Sequence, residues 1–173
     1  SYIGRFAPTP SGHLHFGSLV AALASYLDAR SAGGRWLLRM EDLDPPREMP
    51  GAQAAIIEAL HRYGFEWDGE WIRQSDRHDA YAHVVERLFS QGLAYACTCS
   101  RTQLEGYNGV YPGFCRNAGH SMENAAIRVR VPELEYAFTD RVQGEYRQHL
   151  GRDVGDFIIR SRDGLYALSL III

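Results

Sequence analysis

Residues 5–18 read Arg5-Phe6-Ala7-Pro8-Thr9-Pro10-Ser11-Gly12-His13-Leu14-His15-Phe16-Gly17-Ser18, and their order decides the fold. Tyr2–Ala7 is strand-like, and Pro8 to Gly12 is a Pro/Gly-punctuated loop that cannot be helical. At Phe16 the period changes. Leu19, Leu23 and Leu27 recur four apart with Val20 and Ala24 beside them, which predicts an amphipathic helix to Ala32, stopped by Gly33-Gly34. Trp36–Met40 reads as a second strand. Strand, helix and strand in this order make a βαβ unit with a parallel sheet and a right-handed crossover. In open α/β sheets ligands bind beyond the carboxyl ends of the strands, and a helix N-terminus there offers unpaired N–H groups to an anion. The loop adds two histidines that can donate to phosphate oxygens, and glycines that allow close backbone approach. The alternative is a plain strand–helix connection with surface histidines.

Working outward, Glu41 to Pro50 is turn-like, and Ala52–Tyr63 is a helix with Ile56, Ile57, Leu60 and Tyr63 on one face. A third helix follows Ser75-Asp76, uses Tyr81, Val84, Val85, Leu88 and Phe89, and stops at Gly92. Three short strands are predicted beyond it, at Tyr95–Cys97, Ala126–Val131 and Ala137–Asp140. They surround a Gly- and Cys-bearing loop and suggest an insert. Asp156–Arg160 and Leu165–Leu170 resume apolar strand character and are expected to rejoin the parallel sheet. The division is therefore 1–93 for a Rossmann-like catalytic half, 94–150 for the insert and 151–173 for the return. Trp36, Trp67 and Trp71 read as core rather than as stacking platforms.

Composition narrows the function. The chain has 173 residues, 46% of them hydrophobic, and a formal charge of −3. All 18 of its basic residues are arginine. The lack of lysine excludes a lysine nucleophile, a Schiff-base enzyme and a Walker P-loop. The negative sign argues against binding nucleic acid by bulk charge. Between Arg116 and Asp163 eight arginines face eight acidic residues, so Arg128 and Arg130 read as the solvated face of a strand. No secretion signal stands at the N-terminus, and the terminal apolar stretch, Leu168–Ile173, is too short to span a bilayer. A cytoplasmic monomer with no membrane partner is expected.

Two further clusters carry chemistry. Arg39-Met40-Glu41-Asp42-Leu43-Asp44-Pro45-Pro46-Arg47-Glu48 ends the second strand, on the ligand side. Its carboxylates suit an ammonium group or a metal, or form a solvated turn. Cys97-x-Cys99 with Cys115 offers three thiolates to one zinc ion, since cysteines at i and i+2 make a poor disulfide. By element the usual fourth ligand is a histidine, here His120, and a phenolate oxygen is rarer.

These motifs carry a resemblance. His15-Phe16-Gly17-Ser18 after Pro-x-x-Gly resembles the ATP signature of class I aminoacyl-tRNA synthetases, with Ser18 where a second histidine is usual. Arg5–Gly12 with Leu14-His15 is similar to the opening of glutamyl-tRNA synthetases. Asp44–Ala52 and the pattern Cys97, Cys99, Tyr111, Cys115 resemble the shortened glutamyl-Q tRNA(Asp) synthetase branch. The resemblance implies an α/β, Rossmann-like class I catalytic domain with an inserted zinc-bearing subdomain. It implies ATP-dependent activation of L-glutamate to glutamyl-adenylate, then transfer to queuosine in the anticodon of tRNA(Asp). It assigns Arg5, Ala7, Pro8, Thr9 and Glu41 to glutamate, and His15, Gly17 and Ser18 to ATP, with His15 and Ser18 catalytic. It places structural Zn²⁺ on Cys97, Cys99, Tyr111 and Cys115, and brings Mg²⁺ in with ATP.

Two alternatives stand beside it: the catalytic core of an ordinary glutamyl-tRNA synthetase, or an inactive nucleotide- or zinc-binding module. Relatives carry a substrate-contacting Tyr after Gly164-Leu165-Tyr166-Ala167, but here residue 168 is leucine and takes no role. Class I synthetases also use a late Lys-containing ATP signature, so a lysine-free chain is expected to be the N-terminal part of a longer enzyme.

Overall fold

The computed structural model describes residues 2–167, which form two compact units divided between His78 and Asp79. In the first, β1 (Ile3–Phe6), α1 (Phe16–Ser31), β2 (Arg35–Met40), α2 (Ala52–Arg62) and β3 (Ile72–Arg73) follow in order. The strands form a parallel sheet of order β1-β2-β3, with Arg5 opposite Leu37 and Phe6 opposite Leu38. The βαβ reading of residues 2–40 thus matches the structure. The two-residue β3 carries too little pattern to be read from sequence.

The core of this unit is Trp36, Leu38, Met40, Ile56, Leu60 and Phe65, with Trp67 and Trp71 packed against it. Trp36 is fully buried, meets Tyr26 edge-on at 5.1 Å and stacks on Phe65 at 5.5 Å. It belongs to the core, as expected.

Helix α1 turns a different face inward from the one its leucines predict. Ala22 and Ala29 are buried, whereas Val20, Leu23 and Leu27 are about half exposed. The cause lies in β1. A Cβ at Gly4 would stand 2.9 Å from Ala29 Cβ and 3.0 Å from Ser25 O, so helix and strand approach too closely for anything but small residues. Gly33, at φ 61°, turns the chain out of α1 in a left-handed conformation suited to glycine.

In the second unit, α3 (His78–Ser90, its first residue assigned to the first unit) precedes β4 (Ala94–Cys97), β5 (Ala126–Val129), β6 (Glu135–Asp140), β7 (Gly144–His149), α4 (Leu150–Asp153) and β8 (Ile158–Arg160). Strand β5 pairs antiparallel with β4 on one side and β8 on the other. The expectation that Asp156–Arg160 rejoins a parallel sheet is therefore corrected: β8 lies beside β5 and runs against it. Tyr166 bridges antiparallel to Arg160, and the expected strand beyond Ala167 lies outside the described residues. β6 and β7 form a separate, largely exposed hairpin. Among the described residues no helix is long and apolar enough to cross a membrane.

Candidate functional site

β1 and β2 deliver the first group of candidates at their carboxyl ends. The Glu41 N–H donates to Pro8 O at 2.9 Å and the Met49 N–H to Pro10 O at 2.9 Å, lacing the two loops together. Pro8 is buried, so it offers this backbone tie, while Arg5 and Thr9 are exposed and Ala7 is half-buried. Burial and the neighbouring Arg39 guanidinium lower the Arg5 pKa, and Glu41 acts against them.

His15 caps α1. Its Nδ1 accepts the Ser18 N–H at 3.2 Å. With Nδ1 accepting, Nε2 is the ring nitrogen left to donate to a phosphate oxygen. The Ser18 N–H is thereby used within the helix. The exposed backbone at Phe16 and Gly17 remains for an anion.

The three carboxylates that look alike in sequence go three separate ways. Glu41 Oε1 takes Arg39 Nη2 at 2.7 Å, and both side chains are mostly buried. Asp42 turns inward, accepting the Ser75 N–H at 3.0 Å and the Ser75 hydroxyl at 2.6 Å. Asp44 pairs with Arg47 on the surface. Among the described residues they build no metal site, since the one group able to hold an ion is formed by cysteines. Asp42→Ala removes a buried carboxylate together with its two hydrogen bonds from Ser75. It is expected to lower unfolding stability by about 2–3 kcal/mol, against less than about 1 kcal/mol for Asp44→Ala, whose partner Arg47 is exposed. Denaturant melts of the two variants check this.

The second site closes the end of β4. Cys97, Cys99 and Cys115 are free thiols, with their sulfurs all within 4.8 Å of one another. The Tyr111 hydroxyl stands 3.4 Å from Cys97 Sγ and 3.4 Å from Cys99 Sγ, and Cys99 and Cys115 Sγ are 3.5 Å apart. A tetrahedral ion with bonds of about 2.3 Å to sulfur and about 2.0 Å to oxygen separates its sulfurs by about 3.8 Å and sulfur from oxygen by about 3.5 Å. The donor set fits such an ion. His120 instead turns its Nε2 to the Thr98 hydroxyl at 3.4 Å and does not join the group.

The thiols are unequal. Burial raises Cys115, but hydrogen bonds from the Tyr111 hydroxyl, the Thr98 N–H and Cys99 outweigh it and hold the thiol at about 6. Burial pushes Cys99 up, and it pushes Tyr111 up further, with the surrounding sulfurs adding to it. A bound cation reverses that preference for the neutral phenol.

Arg128 and Arg130 correct the solvated reading. Arg128 is buried, lies 3.9 Å over the Tyr111 ring and donates to Asp156 O at 2.6 Å. Arg130 lies 5.1 Å over the Tyr95 ring. Asp156 is also buried, accepting from the Tyr95 hydroxyl at 2.6 Å, the Val131 N–H at 2.8 Å and Arg116 at 3.1 Å. These groups brace the phenol from behind. An Arg-x-Arg strand segment gives no sign of this, because the partner rings lie on other elements.

Residues 3–167 match the family model for the catalytic domain of class I (E and Q) tRNA synthetases. The glutamyl-Q tRNA(Asp) synthetase of Pseudomonas fluorescens is 79% identical over all 173 residues, which span 58% of that protein. The protein of the same description from Pseudomonas syringae pv. tomato is 75% identical, with 59% of its length spanned. The chain thus spans under two thirds of these curated relatives. Among solved structures, a glutamate tRNA ligase of Elizabethkingia meningosepticum superposes with a TM-score of 0.81 at 26% identity, covering 97% of this chain and 40% of that one. The chain belongs to the class I (E and Q) tRNA synthetases and carries the family's catalytic-domain sequence.

Proposed function

We propose that this chain is the ATP- and glutamate-binding part of an enzyme that activates L-glutamate and transfers it to queuosine in tRNA(Asp). The observation that carries the reading is the pairing of Arg5 and Glu41 with a His15-capped helix on strand ends laced together by the Glu41–Pro8 hydrogen bond. Arg5 presents a planar fork to the side-chain carboxylate of glutamate, with Ala7 and Thr9 beside it. Glu41 receives the ammonium. The α-carboxylate oxygen then attacks the α-phosphorus of ATP. A new P–O bond forms, the bond to the β-phosphate bridge breaks, and pyrophosphate leaves with its electron pair. His15 Nε2–H, the free N-terminal backbone of α1 around Gly17 and the Ser18 hydroxyl stabilise the charge developing on the phosphates. Mg²⁺ enters with ATP.

The cysteine–tyrosine set would hold one structural Zn²⁺, bracing the subdomain at 94–150 rather than touching the reaction. Cysteine sulfur and a phenolic oxygen suit zinc, and no open coordination position is needed for such a role. We place the protein in the cytoplasm as a monomer.

The test is glutamate-dependent ATP–pyrophosphate exchange by the full-length protein without tRNA, followed by transfer of labelled glutamate to queuosine-bearing tRNA(Asp). Exchange without tRNA and loss of transfer on tRNA lacking queuosine are expected. Strict dependence of exchange on tRNA would favour an ordinary glutamyl-tRNA synthetase instead.

A further inference from the structure

Arg39 belongs to none of the roles above, yet it is only 7% exposed and its Nε lies buried without a partner. Burying a guanidinium with an unpaired N–H is costly, so packing alone does not account for it. Its position explains it better. Along β2, Trp36, Leu38 and Met40 enter the core, so Leu37 and Arg39 occupy the other face. The register sets Arg5 opposite Leu37, which puts Arg5 on that same face. The strand alternation carries on to Glu41, whose Oε1 Arg39 holds at 2.7 Å. Arg5 and Glu41 are opposite charges within each other's field. Left to themselves, such groups pair, and each would then block the other from a ligand.

We propose that Arg39 is a positioning residue that keeps the two charges of the amino-acid site apart. By holding Glu41 it keeps that carboxylate off Arg5, leaving Arg5 for a ligand carboxylate and Glu41 for a ligand ammonium. The proposal rests on the functional reading above and adds to it a residue that touches neither substrate. Arg39 contributes charge segregation. Without it, Glu41 swings to Arg5 and closes the carboxylate subsite.

The experiment measures direct binding of glutarate, which has both carboxylates of glutamate and no amine, to the full-length protein by calorimetry, because Glu41 variants lose the ammonium contact on which exchange depends. Arg39→Gln is expected to weaken glutarate about tenfold, and Glu41→Gln alone to leave it within about twofold. The double variant R39Q/E41Q is expected to recover glutarate binding to within about threefold of the unsubstituted protein, because no carboxylate is left to occupy Arg5. Direct binding of ATP that stays within about twofold throughout is also expected. If R39Q does not fold, Arg39→Lys takes its place; it keeps the charge but loses the fork, and its smaller loss should be rescued in the same way. A double variant as weak as R39Q would overturn the proposal, since direct contact with the ligand and a purely structural role both predict no recovery. Failure of the unsubstituted protein to show glutamate-dependent exchange would instead overturn the functional reading and this proposal with it.

Discussion

Arg5→Ala is expected to reduce kcat/KM for glutamate in pyrophosphate exchange about 10²–10³-fold, while the KM for ATP changes little. Truncating one partner of a desolvated charge pair costs about 2–5 kcal/mol, mostly because the other charge is left without an answer. Here the stranded group is the ligand's side-chain carboxylate. Arg5→Lys should restore only part of the loss, since an ammonium offers one point charge where the guanidinium offers two parallel donors. Discrimination should fall too. Glutamine, neutral at its side chain, loses nothing comparable, so the glutamate-to-glutamine ratio drops by a similar factor. An unchanged ratio would show that Arg5 does not face that carboxylate. Steady-state exchange with both amino acids decides the matter.

The second large effect concerns the cysteine–tyrosine set. Cys97→Ala or Cys115→Ser should reduce bound zinc from about one ion per chain to under a tenth. Apparent zinc-binding free energies reach about 10–16 kcal/mol in small zinc-finger peptides, so losing the ion should loosen residues 97–115 to proteolysis. The separate apolar cluster of Val85, Ile127 and Ile159 should preserve the remainder of the unit. Tyr111→Phe should weaken zinc about 10–100-fold, and His120→Ala should change nothing. A strong His120 effect would reassign the fourth ligand.

Acid adds a direction. The Cys115 thiol is held at about 6, below an ordinary thiol, so in the metal-free protein its stabilising contribution is complete above the ordinary thiol range and is lost as pH falls through about 6. Zinc uptake must then displace one more proton at about pH 5 than at about pH 8. Calorimetry in buffers of different ionisation heat measures that difference.

Much of this is legible along the chain because the signals are local. Pro8 and Pro10 forbid helix, Gly33 ends one, and the alternation Trp36, Leu38, Met40 marks a half-buried strand. The inward face of α1 was not legible, because what selects Ala22 and Ala29 over Leu23 and Leu27 is a glycine in a different strand. The same holds at the sites. Glu41, Asp42 and Asp44 are equivalent as letters and are distinguished only by Arg39, Ser75 and Arg47. Likewise, element preference points to His120 and the family resemblance to Tyr111, and the fold brings only the phenol to the sulfurs.

The hydrogen bond from the Glu41 N–H to Pro8 O ties the segments that carry Arg5 and Glu41 together at a set spacing. On the proposed reading, one end of the amino acid is gripped from each segment, so their separation works as a fixed gauge of ligand length. Aspartate is one methylene shorter. The strand ends already stand at hydrogen-bond distance and cannot draw closer to follow it, so whichever end aspartate secures, its other end is left short of its partner.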